Sequence, residues 1–156
     1  MGVGSVPDIE RLYREHGEHL WRAVLAFARD REVANDAVAE AFAQALRRGA
    51  ALRDPLRWVW RAAFRIAAGE LAQRRRGHEL MVEAAPEMPE VAGRLIEAPA
   101  RVSRSQRAAL VLHYYRGYPV KDIARIIGST AAAVRVHLST GRKRLRALLE
   151  EESDDA

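Results

Sequence analysis

Cysteine is absent from all 156 residues. Disulfides and thiolate metal sites are therefore excluded, and a reducing compartment suits the chain. No apolar run approaches the ~18–20 residues that a membrane span needs. The opening Met-Gly-Val-Gly-Ser-Val lacks a basic segment followed by an apolar one, so no secretory signal is expected. A soluble, cytoplasmic protein is expected. Acid is nearly missing from one block: between residues 101 and 149, Asp122 stands alone against 11 Lys and Arg. A stretch at +10 repels itself unless a polyanion screens it, which is the charge pattern of a phosphate-binding module. Also missing are a phosphate loop, a nucleophile motif and paired carboxylates with an evident task, so nothing supports an enzyme. The five histidines, at 16, 19, 78, 113 and 137, are scattered. His16 and His19 lie three apart without a matching acid or cysteine cluster, so no metal and no cofactor are expected.

What is present divides the chain by charge. Residues 1–76 carry 14 basic and 10 acidic groups, residues 77–100 carry 1 and 5, and residues 150–156 carry 0 and 5, which with the basic block gives the net +5. This length suits one ordinary domain or two small ones, and small domains bury too little surface to be robust alone.

Helical periodicity fills both basic segments. Ser5 and Asp8 form an S-x-x-D start signal. Ile9, Leu12, His16, Leu20, Val24 and Phe27 then recur on one helical face. Asp30 is placed to cap a second helix, with Ala34, Ala37, Val38, Ala41, Phe42, Ala45 and Leu46 as its buried stripe up to Gly49. The stretch Arg48–Pro55 reads as a loop. A third helix opens at Pro55, a good first-turn residue. It turns Leu56, Val59, Trp60, Ala63, Ile66 and Ala67 inward and ends at Arg74–Arg76.

Pro86, Pro89 and Pro99 break up residues 77–100, which read as an acidic linker with at most a helical turn near 90–97. Ser103 and Gln106 make a capping box. Leu110, Val111 and Tyr114 form the next apolar face, and Gly117 sits where a helix end favours a left-handed residue. A short helix over Val120–Ile127 buries Ile123, Ala124 and Ile127. Gly128 turns the chain, and Thr130 caps a long helix to about Leu149 with Val134, Leu138, Leu145, Leu148 and Leu149 inside. No segment alternates with period two. The expected fold is all-α: two small helical domains, over 5–76 and 101–149, joined by the acidic, Pro-containing linker and followed by an acidic tail over 150–156. The prolines and opposed charges predict variable placement of one domain relative to the other.

Short helix, tight turn and second helix over Val120–Arg146 form a helix-turn-helix candidate. Its second helix would enter the major groove. Ala131, Ala132 and Ala133 permit close approach, and the amides beside Thr130 suit a phosphate. Arg135, Ser139 and Arg142 share the exposed face, with His137 and Lys143 beside them. Arginine grips guanine edges bidentately, whereas Lys143 suits phosphate.

These residues resemble a known family. The run from Gln106 to Gly128, followed by Val134 to Leu145, is similar to region 4 of extracytoplasmic-function sigma factors, which reads the −35 promoter element. Residues 34–42, Ala-Asn-Asp-Ala-Val-Ala-Glu-Ala-Phe, resemble the acidic region 2 motif A-E-D-L-V-Q-E-x-F. Residues 58–67, Trp-Val-Trp-Arg-Ala-Ala-Phe-Arg-Ile-Ala, resemble W-L-x-R-I-A-R-N-x-A. The likeness covers roughly 8–76 and 102–149 in matching order.

The resemblance implies a non-enzymatic protein that joins core RNA polymerase at the β′ clamp helices and the β flap and directs it to promoter DNA. It also implies an anti-sigma partner. Asp36, Glu40, Phe42 and Gln44 fall on the polymerase-binding motif, Phe42 reading equally well as core or contact. Arg57, Arg61 and Arg65 recur every four residues beside Trp58. With Arg48 and its loop they fall on the −10-binding part, where cations follow a strand backbone and aromatics stack on bases. His113, Thr130, Arg135, Val136, His137, Ser139, Arg142 and Lys143 fall on the −35-binding part. Asn35, Ala39, Arg65, Pro119 and Thr140 depart from the family pattern. The competing expectation is a stand-alone helix-turn-helix regulator, but the amino-terminal half offers no ligand-pocket signature.

Overall fold

Asp30 shows how closely local chemistry sets the helix boundaries. Its carboxylate accepts the Val33 amide hydrogen at 3.0 Å, satisfying one of the donors that open a helix. The computed structural model describes residues 6–74 and 102–154. Within them run α1 (Val6–Ala28), α2 (Arg31–Arg48), α3 (Pro55–Arg74), α4 (Arg104–Leu110), α5 (Val120–Ile127) and α6 (Ala131–Asp154). No strand occurs among the described residues, and the fold is all-α. Ser5, the linker and the turn expected near 90–97 lie outside the described residues.

Helices α1 to α3 form one bundle. Asp54 starts α3 by accepting the Arg57 amide at 3.2 Å. Arg74 at the far end of α3 bonds Asp30 at 2.9 Å and Glu32 at 3.2 Å, fastening the end of α3 to the start of α2. The core is Ile9, Leu20, Val24, Phe27, Val33, Val38, Phe42, Val59, Trp60 and Phe64. Leu46, expected in the buried stripe, is exposed instead. It lies in the last turn of α2, just before Gly49 turns the chain away with φ 53.

Helices α4 to α6 form the second bundle. Ser103 and Gln106 complete the capping box: the Gln106 amide bonds Ser103 Oγ at 3.2 Å and the Ser103 amide bonds Gln106 Oε1 at 3.0 Å. After Leu110 the chain widens into a π-turn over Val111–Tyr115. That extra residue advances the following side chains around the helix axis. It buries Leu112 and turns Tyr114, expected inside, out to 50% exposure. Gly117 at φ 82 and Gly128 at φ 69 take the left-handed conformations their turns need. Ile126 is buried where Ile127 was expected, and Ile127 packs only at the margin. Helix α6 continues past Leu149 into the acidic tail as far as Asp154, glutamate being a good helix former.

The two bundles pack against one another, in place of the variable placement expected from the linker. Helix α3 lies on α5, and α1 on α4 and the π-turn. The seam is aromatic. His19 stacks on Tyr115 at 4.4 Å, Trp60 meets Tyr118 edge-on at 5.9 Å, and Arg116 lies over both rings. Arg107 is buried across it, donating from Nε to the Phe27 carbonyl at 3.1 Å and from its terminal nitrogen to the Val102 carbonyl at 2.7 Å. Burial, with Arg29 and Arg104 nearby, lowers its pKa to about 10. The physical reason for closure is this shared apolar and aromatic surface, which outweighs the net positive charge of both bundles.

Candidate nucleic-acid interface

Thr130 fixes the start of α6, its hydroxyl accepting the Ala133 amide at 3.1 Å. With Val134 and Leu138 buried inward, the helix turns Arg135, Arg142 and Lys143 to solvent and leaves Ser139 and His137 half-covered. Val136 is 61% exposed, an apolar group on a polar face. The −35 set is therefore assembled on one helix at the open side of the second bundle. His113 adds to it from the π-turn, its Nδ1 donating to the Tyr118 carbonyl at 3.1 Å. That bond leaves Nε2 of the neutral ring as an acceptor. Tyr114 was missed by sequence reasoning: its hydroxyl accepts from Arg142 at 2.9 Å, and only the π-turn places it there.

The second cationic set sits differently. Arg57, Arg61 and Arg65 share one exposed stripe of α3, and the Arg48 guanidinium lies 5.1 Å over the Trp58 ring. The structure thus brings Arg48, Trp58 and the arginine stripe together as expected. It also turns that stripe toward the other bundle. Arg57 pairs with Asp122 at 3.0 Å, so the only acid of the basic block is spent across the seam. Arg57, Trp58 and Arg61 line a cleft of about 230 Å³ against α5, and Arg65 lines a second of about 210 Å³ against α4 and α5.

The acidic set lies on α2. Asp36 and Glu40 are exposed. Glu40 accepts from Gln44 at 3.0 Å and from Arg47 at 3.0 Å, and these hydrogen bonds hold its pKa below the ordinary carboxylate value. Phe42 is buried at 5% exposure and lies edge-on to Tyr13 at 5.1 Å. It nevertheless floors an open groove of about 500 Å³ with Ile9, Tyr13, Ala39 and Leu46. Asn35, one of the departures, accepts the Trp21 indole hydrogen at 2.7 Å and so joins α1 to α2. Among the described residues no three His, Asp or Glu lie close enough to hold a metal, and no helix is long and apolar enough to cross a membrane.

Fold and site together define an all-helical protein with a cationic helix-turn-helix on one bundle and a cationic aromatic stripe on the other. Comparison with known proteins places it further. Residues 92–145 match the family model for sigma-70, region 4, starting within the stretch read as linker. No curated protein sequence matches the chain. The fold matches that of the sigma factor RpoE from Bartonella quintana, solved in complex with the anti-sigma factor NepR. The TM-score is 0.78 and the identity 18%, over 93% of this chain and 98% of that one. It also matches CnrH, solved in complex with the cytosolic domain of CnrY, with a TM-score of 0.68 and 20% identity over 93% of this chain and 89% of that one. Over residues 92–145 the chain is thus similar to sigma-70 region 4, within an all-helical fold shared with those two solved structures.

Proposed function

We propose that this chain binds core RNA polymerase in the cytoplasm and brings it to promoters, acting by recognition and without catalysis. The observation that carries the reading is the region 4 match lying on a Thr130-capped helix whose open face presents Arg135, Ser139 and Arg142. In this reading the bundle within 5–76 acts as region 2 and the bundle within 101–149 as region 4. Arg135 reads a base edge, Val136 and His137 contact bases beside it, and His113, Ser139, Arg142, Lys143 and the amides near Thr130 hold the backbone. On the first bundle, Trp58 stacks on an unpaired −10 base while Arg48, Arg57, Arg61 and Arg65 follow the strand. Asp36, Glu40 and Gln44 meet a basic helical surface of β′, where opposite charge steers docking, and the β flap meets the second bundle. The anti-sigma factor NepR bound to RpoE, and the cytosolic domain of CnrY bound to CnrH, support a protein partner of the anti-sigma kind here.

Reading both elements requires the seam to open. Elements centred about 25 base pairs apart lie ~85 Å apart along a duplex rising ~3.4 Å per step. A folded body of about 120 residues has a radius of gyration of only ~14 Å. The roughly 27 residues from 75 to 101 can reach ~90 Å when extended, just enough to join the separated bundles. Co-purification with core polymerase at moderate salt tests the reading. A chain that binds duplex DNA yet never enters the polymerase fraction is a stand-alone regulator instead.

A further inference from the structure

The cleft between α3 and α5 is built from both bundles and exists only while they are closed. Arg57, Trp58 and Arg61 form one wall, and Tyr118, Asp122 and Arg125 the other, around about 230 Å³. Three guanidiniums face a single carboxylate, and that carboxylate is already bonded to Arg57. Arg61 and Arg125 are both exposed at the rim. Like charges brought to opposite walls of one cleft oppose closure unless an anion lies between them. The cleft also offers aromatic surface from Trp58 and Tyr118, over which a flat ring can stack. Tyr118 is only 8% exposed, with Arg116 lying 5.2 Å over its ring, so the half-buried Trp58 is the main aromatic wall a ligand meets.

Flat aromatic surface and surplus guanidiniums together fit one class of small molecule. We propose that this cleft binds a free nucleoside diphosphate, its base against Trp58 and its phosphates between Arg61 and Arg125, and that the nucleotide clamps the two bundles shut. The volume is below the ~300–1,000 Å³ of a drug-sized site, so the base occupies the cleft and the phosphates project to its rim. Arg57, Trp58 and Arg61 serve the nucleotide in the closed form and the promoter strand in the open one, so the two ligands exclude each other. That last consequence rests on the proposed function, whereas nucleotide binding itself does not.

The test is calorimetric titration of the full chain with ADP and with GDP, alongside adenosine, guanosine and inorganic phosphate. The expected result is a dissociation constant below 1 mM for a diphosphate, with nucleoside or phosphate alone at least tenfold weaker. Arg125→Ala, an exposed change outside the promoter-reading set, should weaken the nucleotide at least tenfold. A single-stranded oligonucleotide should lose at least fivefold in affinity at saturating ADP or GDP. Failure of both diphosphates to bind, equal binding by phosphate alone, or indifference to Arg125→Ala each overturns the proposal, and absence of competition with the oligonucleotide overturns the shared use of Arg57, Trp58 and Arg61. A chain that binds the oligonucleotide but no nucleotide loses this site and keeps its promoter function. A chain that binds nucleotide but fails to support transcription keeps the site and loses the function.

Discussion

Arg107 lies where the two bundles meet, and replacing it separates packing from hydrogen bonding. Its bond to the Phe27 carbonyl crosses the seam, whereas its bond to the Val102 carbonyl stays within the second bundle. The crossing bond is charge-assisted and worth ~1.5–3 kcal/mol. Burying the charge, which lowers its pKa to about 10, costs roughly 3 kcal/mol and offsets that gain. Arg107→Met keeps most of the volume and should leave the open-to-closed ratio nearly unchanged. Arg107→Ala loses the same bonds and leaves a cavity that adds ~1–2 kcal/mol. Relative to methionine, alanine should therefore raise the open-to-closed ratio by about five- to thirtyfold, since ~1.4 kcal/mol is a factor of ten. With no native cysteine, one cysteine placed in each bundle permits donor–acceptor labelling and a direct reading of that ratio by energy transfer. Indistinguishable open fractions for the alanine, methionine and parent proteins would refute the role given to Arg107.

Three further outcomes are expected. Reversing Asp36 and Glu40 together to lysine should weaken core polymerase binding at moderate salt while circular dichroism is unchanged, since both side chains are exposed; an unchanged pull-down removes α2 from the polymerase surface. Arg135→Ala should lose ~1–3 kcal/mol on duplex DNA and relax preference at one position, whereas Lys143→Ala should weaken all sequences alike; identical selectivity profiles would contradict that division. Burial, then Arg116, His16 and Arg22, lower the His19 pKa below 6.5, so closure favours the neutral ring. The seam should hold fully above pH ~6.5 and loosen as pH falls below it. Energy transfer across that range should show acid opening that His19→Phe abolishes, and opening indifferent to that change would assign the effect elsewhere.

The helices and their caps were legible because each depends on a few adjacent residues. Asp30 three before Val33, Ser103 three before Gln106, and Thr130 three before Ala133 all bond as their spacing implies. The cationic face of α6 followed from the same periodicity, since Val134 and Leu138 are buried and leave Arg135 and Arg142 exposed. The π-turn left no such signal. One residue inserted after Leu110 is enough to expose Tyr114 and pair it with Arg142, and no residue type marks the insertion. The seam was hidden for a different reason. Arginines in a basic block read as solvated or phosphate-bound, yet Arg107 bonds only main-chain carbonyls, one of them 80 residues away. Asp122 was conspicuous as a lone acid, but its partner Arg57 lies 65 residues back, beyond any local pattern. Asn35 departs from an acidic motif because its amide oxygen serves Trp21 on the neighbouring helix, a contact that depends on how α1 and α2 pack.

The central claim is that this chain alone confers promoter selection on polymerase. Transcription reconstituted from core polymerase and genomic DNA fragments, with and without the chain, tests it most directly by mapping transcript 5′ ends. The account predicts new starts that share one upstream pair of sequence elements about 25 base pairs apart. These starts should disappear with the Asp36→Lys, Glu40→Lys double variant and change in selectivity with Arg135→Ala. Starts that are the same with and without the chain, while it binds duplex DNA on its own, would contradict the claim.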